Sequence, residues 1–242
     1  MALFFAPDIY TTWELPEEES AHCLRVLRLG VGDELEVTDG KGCILRTAIV
    51  STAGKRCKVE MIEERCVEKG WNGNLTIAIA PTKNMDRIEW LAEKATEIGW
   101  DKVSFLNCRF SERKVIKTDR IERIVVSAMK QSLKFHKPVV EEMTDFKKFI
   151  ESPREGQKFI CHCHASEDIG EDTASARPFL LDILQKGEPA TVLIGPEGDF
   201  SIDEVKYALT KGYQSVSLGK SRLRTETAAL VAVHCMQIKN QI

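Results

Sequence analysis

The strongest constraint on the fold is an alternation that begins at Leu75 and runs to the C-terminal end of the sequence. Short apolar runs at residues 75–80, 102–106, 158–162, 191–194 and 215–218 are separated by segments with helical periodicity. Over residues 84–99, Ile88, Leu91, Ala92, Ala95 and Ile98 recur at three- and four-residue spacing, which is one face of a helix. Residues 119–135 repeat the pattern with Ile121, Ile124, Val125, Ala128 and Met129. Residues 75–80 are apolar on both faces, with Thr76 the one polar residue, the mark of a strand covered on both faces. A helix over 178–186 has proline in its first turn, Ser201 and Glu204 have capping-box spacing at the start of another, and 225–242 forms the last. Such an order demands an α/β domain: a mostly parallel sheet with helices on both sides.

Residues 1–70 have a different texture. A short helix opens at Pro16-Glu17-Glu18-Glu19, with acidic residues at its positive end, and Gly30 ends it. Strands are expected at 34–38, 43–50 and 57–62, joined by turns at Asp39-Gly40-Lys41-Gly42 and Ala53-Gly54-Lys55. Short strands with glycine turns read as a small β-barrel-like module. Gly70 to Asn74 is the linker, so the expected domains are 1–70 and 71–242. The opening residues carry no basic stretch, Asp8 and Glu14 follow early, and no run approaches the ~18 apolar residues of a membrane span. Eight cysteines in that context point to reduced thiols and the cytoplasm. The net charge of −3 announces no nucleic-acid partner globally, so one would be met by a local basic patch.

Two loops concentrate the chemistry. Gly195-Pro196-Glu197-Gly198 leaves a buried strand just before a capped helix. By itself it is best read as a glycine-rich β–α turn. Leu218-Gly219-Lys220-Ser221-Arg222-Leu223-Arg224-Thr225-Glu226-Thr227 adds arginines, a carboxylate and threonines around a second helix start. An α/β protein holds ligands in this place, at the carboxyl ends of strands and against helix N-termini. Arg224 and Glu226 are also readable as a structural ion pair, and Thr225 as an N-cap.

The wording LIGPEGDFS followed by LGKSRLRTETAAL resembles the C-terminal signature of the SPOUT methyltransferases, in particular the RsmE family, which methylates N3 of a uridine in 16S ribosomal RNA. HCLRVLRLGVGDELEVTDGKG resembles that family's PUA-like RNA-binding module. KATEIGWDKV, SERKV and AMKQSLK resemble the middle of its catalytic domain, so the likeness spans nearly the whole chain. It implies a trefoil-knotted parallel-sheet domain after a small PUA-like β-barrel, a homodimer through the knotted domain, S-adenosylmethionine as methyl donor with no metal, the small ribosomal subunit as partner and no membrane. It also assigns Ile194, Gly195, Pro196, Glu197 and Gly198 to a first cofactor loop, Leu218 and Gly219 to a second, and Leu223, Arg224 and Thr225 to a third. Three positions depart from the family pattern: Asp199 replaces a glycine, and Phe110 and Lys134 replace arginines.

Methylating uridine N3 requires removing its proton and stabilising the charge that spreads over the ring. Glu226 is the candidate base, with Arg222 or Arg224 as charge stabiliser. Arg25, Arg28, Lys41 and Arg46 in the small module, and Arg109, Arg113, Lys134 and His136 elsewhere, are candidate RNA contacts. Two other functions fit the same sequence: a SPOUT enzyme acting on ribose 2′-OH or another base, and a non-catalytic RNA-binding ribosome-assembly factor. Cys161-His162-Cys163-His164 invites a metal reading, but alternation in a strand puts the thiols on one face and the imidazoles on the other. Cys43, Cys57, Cys66 and Cys108 read as small buried apolar residues.

Overall fold

The computed structural model describes residues 2–170 and 177–242. The chain divides into two compact units, Met1–Gly70 with Val126–Lys137, and Trp71–Val125 with Pro138–Ile242.

In the first unit, β1 (Leu3–Phe5) pairs parallel with β2 (Glu34–Thr38), which continues antiparallel to β3 (Cys43–Ser51) and β4 (Lys58–Cys66). Helices α1 (Ile9–Thr12) and α2 (Glu17–Ala21) precede a π-helical turn at His22–Val26. Phe4, Ile9, Leu35, Val37, Leu45 and Ile49 form its core. Ser20 is buried because its hydroxyl donates to Leu15 O (2.9 Å) and accepts from Cys57 N (3.1 Å). Three features differ from expectation. The helix ends before Gly30, with Arg28 at φ 58°. β1 is too short for a periodicity signal. β4 runs four residues further than expected, because its outer end is exposed and held by cross-strand charge pairs, Arg46–Glu63 (3.4 Å) among them.

In the second unit six strands lie in the order β10-β8-β9-β5-β6-β7, every neighbouring pair parallel. They are β5 (Leu75–Ile79), β6 (Lys102–Asn107), β7 (Val139–Asp145), β8 (Gln157–Cys161), β9 (Ala190–Ile194) and β10 (Gln214–Val216). The helices are α3 (Met85–Ile98), α4 (Thr118–Gln131, whose residues from Val126 on are counted in the first unit), α5 (Phe146–Glu151), α6 (Ser166–Ile169), α7 (Leu180–Ile183), α8 (Ile202–Thr210) and α9 (Thr225–Gln241). β5 and β9 are buried along their whole length. Leu75, Ile77 and Ile79 face a core shared with α3 and α9, while Ala78 and Leu193 face a second core with Phe146, Phe200 and Val205. Each such buried aliphatic or aromatic side chain contributes about 1.5–3 kcal/mol. The helix expected over 178–186 is a single turn, and β7 had no counterpart in the sequence reading. Among the described residues, no helix is long and apolar enough to cross a membrane.

Candidate active site

β8, β9 and β10 are adjacent and parallel, so the loops that leave them emerge on one edge of the sheet. With the first turns of α3 and α9 these loops enclose a cavity of about 950 Å³. Residues 194–197 and Asp199, residues 217–224, and Val216, Thr225 and Ala228 line it. Residues 161–164, Arg87 and Arg177 complete it. Of the residues assigned to cofactor binding from the sequence, Ile194, Gly195, Pro196, Glu197, Leu218, Gly219, Leu223, Arg224 and Thr225 line this space. Gly198 does not. It lies against Phe110, whose Cβ would stand 3.3 Å from a Cβ added there.

The first loop is fixed from several directions. A Cβ on Gly195 would stand 3.0 Å from Phe200 N, so a side chain there would require the following turn to shift by a few tenths of an ångström. Asp199 adopts φ 66°, the left-handed angle its glycine-like position requires. It closes the turn by donating its N–H to Pro196 O (2.9 Å). Its carboxylate accepts from Phe200 N and from Cys163 N, both at 2.7 Å, which ties the loop to the chain leaving β8. Ser201 and Glu204 form the expected capping box at the start of α8, and Glu204 also accepts from Arg109 N (2.8 Å). Glu197 accepts from Lys83 N (3.0 Å) in the turn after β5.

The second loop is held by less. Gly219 takes φ 121°, and the Ser217 hydroxyl accepts from Gly219 N at 3.1 Å. The side chains of Lys220, Arg222 and Arg224 are exposed and make no hydrogen bond or ion pair among the described residues. Arg224 is the N-cap residue of α9 and Thr225 its first helical residue, one position later than the N-cap reading of Thr225.

Glu226 is buried one residue further on, at 7% exposure. It does not pair with Arg224. It is not among the residues that line the cavity; its Oε1 lies 3.8 Å from Arg87 Nε on α3, and its Oε2 has no hydrogen-bond partner among the described residues. The carboxylate also sits in the first turn of α9, at the positive end of the helix dipole. Arg87 and Arg177, which border the cavity, were missed from the sequence because nothing local distinguishes them from surface arginines.

The Cys161-His162-Cys163-His164 segment leaves β8 rather than extending it. His162 Nε2 is 2.9 Å from Ser215 Oγ, and His164 Nε2 is 2.6 Å from Phe200 O. The two rings lie 5.7 Å apart. Arg177 donates to the carbonyls of both histidines, at 3.0 and 2.9 Å. Burial, aided by the Arg177 charge, pushes the His162 pKa down to about 3, so the ring is neutral. Burial pushes the Cys161 thiol up, and burial followed by the Asp199 charge does the same for Cys163.

The candidate RNA contacts are dispersed. Arg25 and Arg28 are exposed beside the π-helical turn. His136 has its ring against the Gly42 turn, in the same unit as Lys134, and its backbone bridges Lys41. Arg46 pairs with Glu34 (3.8 Å) and Glu63 (3.4 Å). Arg109 pairs with Asp203 at 3.3 Å and stacks 5.7 Å from the Phe110 ring centre. Arg113 donates to Thr82 O (3.2 Å) and Lys83 O (2.6 Å), which occupies part of its guanidinium in holding the turn after β5.

Residues 69–237 match the RNA methyltransferase domain family, and residues 15–62 match the RNA methyltransferase PUA domain. The ribosomal RNA small subunit methyltransferase E of Synechocystis sp. is 30% identical, over 96% of this chain and 75% of its own. That of Rickettsia conorii is 27% identical, over 93% and 92%. The crystal structure of a probable rRNA-methyltransferase from Porphyromonas gingivalis superposes with a TM-score of 0.88 at 42% identity, covering 98% of this chain and 99% of that one. The ribosomal RNA small subunit methyltransferase E from Neisseria gonorrhoeae, bound to S-adenosyl methionine, gives 0.83 at 26% identity, covering 98% and 97%.

Proposed function

The chain belongs to the ribosomal RNA small subunit methyltransferase E family, and from that premise we propose that it transfers a methyl group from S-adenosylmethionine to N3 of a uridine in the 16S RNA of the small ribosomal subunit. The observation that carries this reading is the cavity at the carboxyl ends of β8, β9 and β10, closed by a braced glycine-rich loop and a cationic one. Its volume of about 950 Å³ is ample for a nucleoside bearing an amino-acid side arm. Its lining fits that group: apolar surface from Ile194, Leu218, Leu223 and Ala228, and the buried His162 Nδ1, which has no hydrogen-bond partner among the described residues. Residues 194–197, 218–219 and 223–225 would hold the cofactor, which when bound supplies an electrophilic methyl group on a sulfonium centre.

The protein's own work is to position the base and handle its proton. Glu226, buried one residue beyond the cavity lining, has one oxygen directed to Arg87 and one without a partner among the described residues, and in this reading it takes the N3 proton. Arg87 orients it. Arg222 and Arg224, exposed on the rim, supply positive charge for the ring oxygens. The β-module, with Arg25 and Arg28, meets RNA phosphates. In this reading the domain is knotted, the enzyme works as a homodimer in the cytoplasm, and no metal takes part.

Calorimetry with S-adenosylmethionine tests the reading: one molecule bound per chain is expected. No binding overturns it and leaves an RNA-binding assembly factor as the alternative.

A further inference from the structure

Cys43 and Cys66 were expected to be buried, but Cys43 is half-buried and Cys66 exposed. They are direct cross-strand neighbours at the open ends of β3 and β4. The Cys43 N–H is directed to Asp39 Oδ1 at 3.2 Å, and the ladder bond is made one residue on, from Val67 N to Gly42 O (2.8 Å). The pair therefore occupies a non-hydrogen-bonded position, where facing side chains approach most closely. Their sulfurs are 3.4 Å apart. Glu64 lies two residues before Cys66 on β4 and so on the same face. A carboxylate oxygen of Glu64 and both sulfurs all lie within 4.8 Å of one another. Tyr10 on α1 donates its hydroxyl to Glu64 Oε1.

From this arrangement we propose that Cys43, Glu64 and Cys66 form a binding site for a thiophilic divalent cation of the zinc class, with Tyr10 orienting the carboxylate. Two sulfurs bound at ~2.3 Å in a tetrahedral site stand ~3.8 Å apart, so the thiols need separate by only a few tenths of an ångström. Two thiolates and a carboxylate supply three of four tetrahedral positions, and water completes the set. Binding releases the two thiol protons to solvent, and no oxidant or reductant is involved. The ion would join the ends of β3 and β4 beside the turn whose Gly42 N–H holds Phe135 O at 2.8 Å. The site is separate from the proposed methyl-donor cavity and does not depend on that reading.

Titration of the reduced full-length protein with Co2+ tests this. One equivalent should give thiolate-to-cobalt charge transfer and tetrahedral visible bands, both bleached by Zn2+. Cys43→Ser and Cys66→Ser should each abolish the bands, and Tyr10→Phe should weaken Co2+ affinity by roughly tenfold. Cys163→Ser should leave them intact. Glu64→Gln removes an exposed carboxylate and keeps the test valid if a cysteine variant folds poorly; it should shift the titration to higher cobalt. Absence of bands with all thiols confirmed reduced overturns the proposal. So does their loss in Cys163→Ser instead of Cys66→Ser. Consumption of two thiols by oxidised glutathione, without cobalt bands in the reduced protein, also overturns it and makes the pair a disulfide couple.

Discussion

The two loops that line the cavity are built on opposite principles. Residues 195–201 are over-determined: a glycine against backbone, a left-handed aspartate with both carboxylate oxygens bonded, a capping box, and a glutamate bonded to the turn after β5. Residues 217–224 carry three cations whose side chains are held by nothing in the described structure. The difference assigns shape to the first loop and charge to the second. Substitutions in the first should register as stability and cofactor affinity, and those in the second as turnover and RNA affinity.

The largest effect is expected just beyond the second loop. Glu226→Gln keeps the size of the side chain and removes the proton acceptor. Turnover should fall by on the order of 10²–10⁴, while calorimetry returns an unchanged affinity for S-adenosylmethionine. Loss of that affinity as well would make Glu226 part of the framework and break the division of labour.

Asp199 tests the other side. Asp199→Ala leaves two backbone N–H groups without their acceptor and keeps the left-handed strain; a loss of about 2 kcal/mol is expected in denaturant unfolding. Asp199→Gly relieves the backbone and should cost about 1 kcal/mol less. Equal losses would show that the angle is not what the position demands.

Arg222→Ala should move stability by no more than ~0.5 kcal/mol. RNA affinity should fall, with the slope of log affinity against log salt reduced by about one unit. A stability loss matching that of Asp199→Ala would erase the contrast between the loops.

The remaining effect is a pH dependence. His162 titrates near 6.5 when unfolded and near 3 when folded, because burial and Arg177 disfavour its charged form. Between those values the unfolded chain binds more protons, so stability falls as pH is lowered from about 6.5 toward 3. His162→Gln should flatten that slope by up to one proton, as read from unfolding midpoints across the range.

The sheet was largely legible because its signals are local. Continuous apolar runs marked β5 and β9, and the Ser201–Glu204 spacing marked α8. β1 was not, since three residues carry no period and their partner β2 lies some thirty positions away. β7 was not, since it is nowhere fully buried and alternates poorly. In the site, glycines and cations were readable as types, but partners were not. Glu226 found Arg87 on α3 rather than nearby Arg224 because the packing of α3 on α9 decides it. Likewise Cys43 meets Cys66 only through a register set by two irregularities along β3 and β4. Asp199 was visible as a departure from its family, and the structure supplies the reason it is tolerated.

Mass mapping of 16S RNA bears most directly on the function. Small subunits from a strain lacking this protein would be incubated with the purified protein and S-adenosylmethionine, and the modified nucleoside identified by fragmentation. The account predicts one added methyl group per RNA, on N3 of a uridine, and none with Glu226→Gln. A methyl group on ribose or on another base, or no transfer by a protein that binds the cofactor, would contradict it.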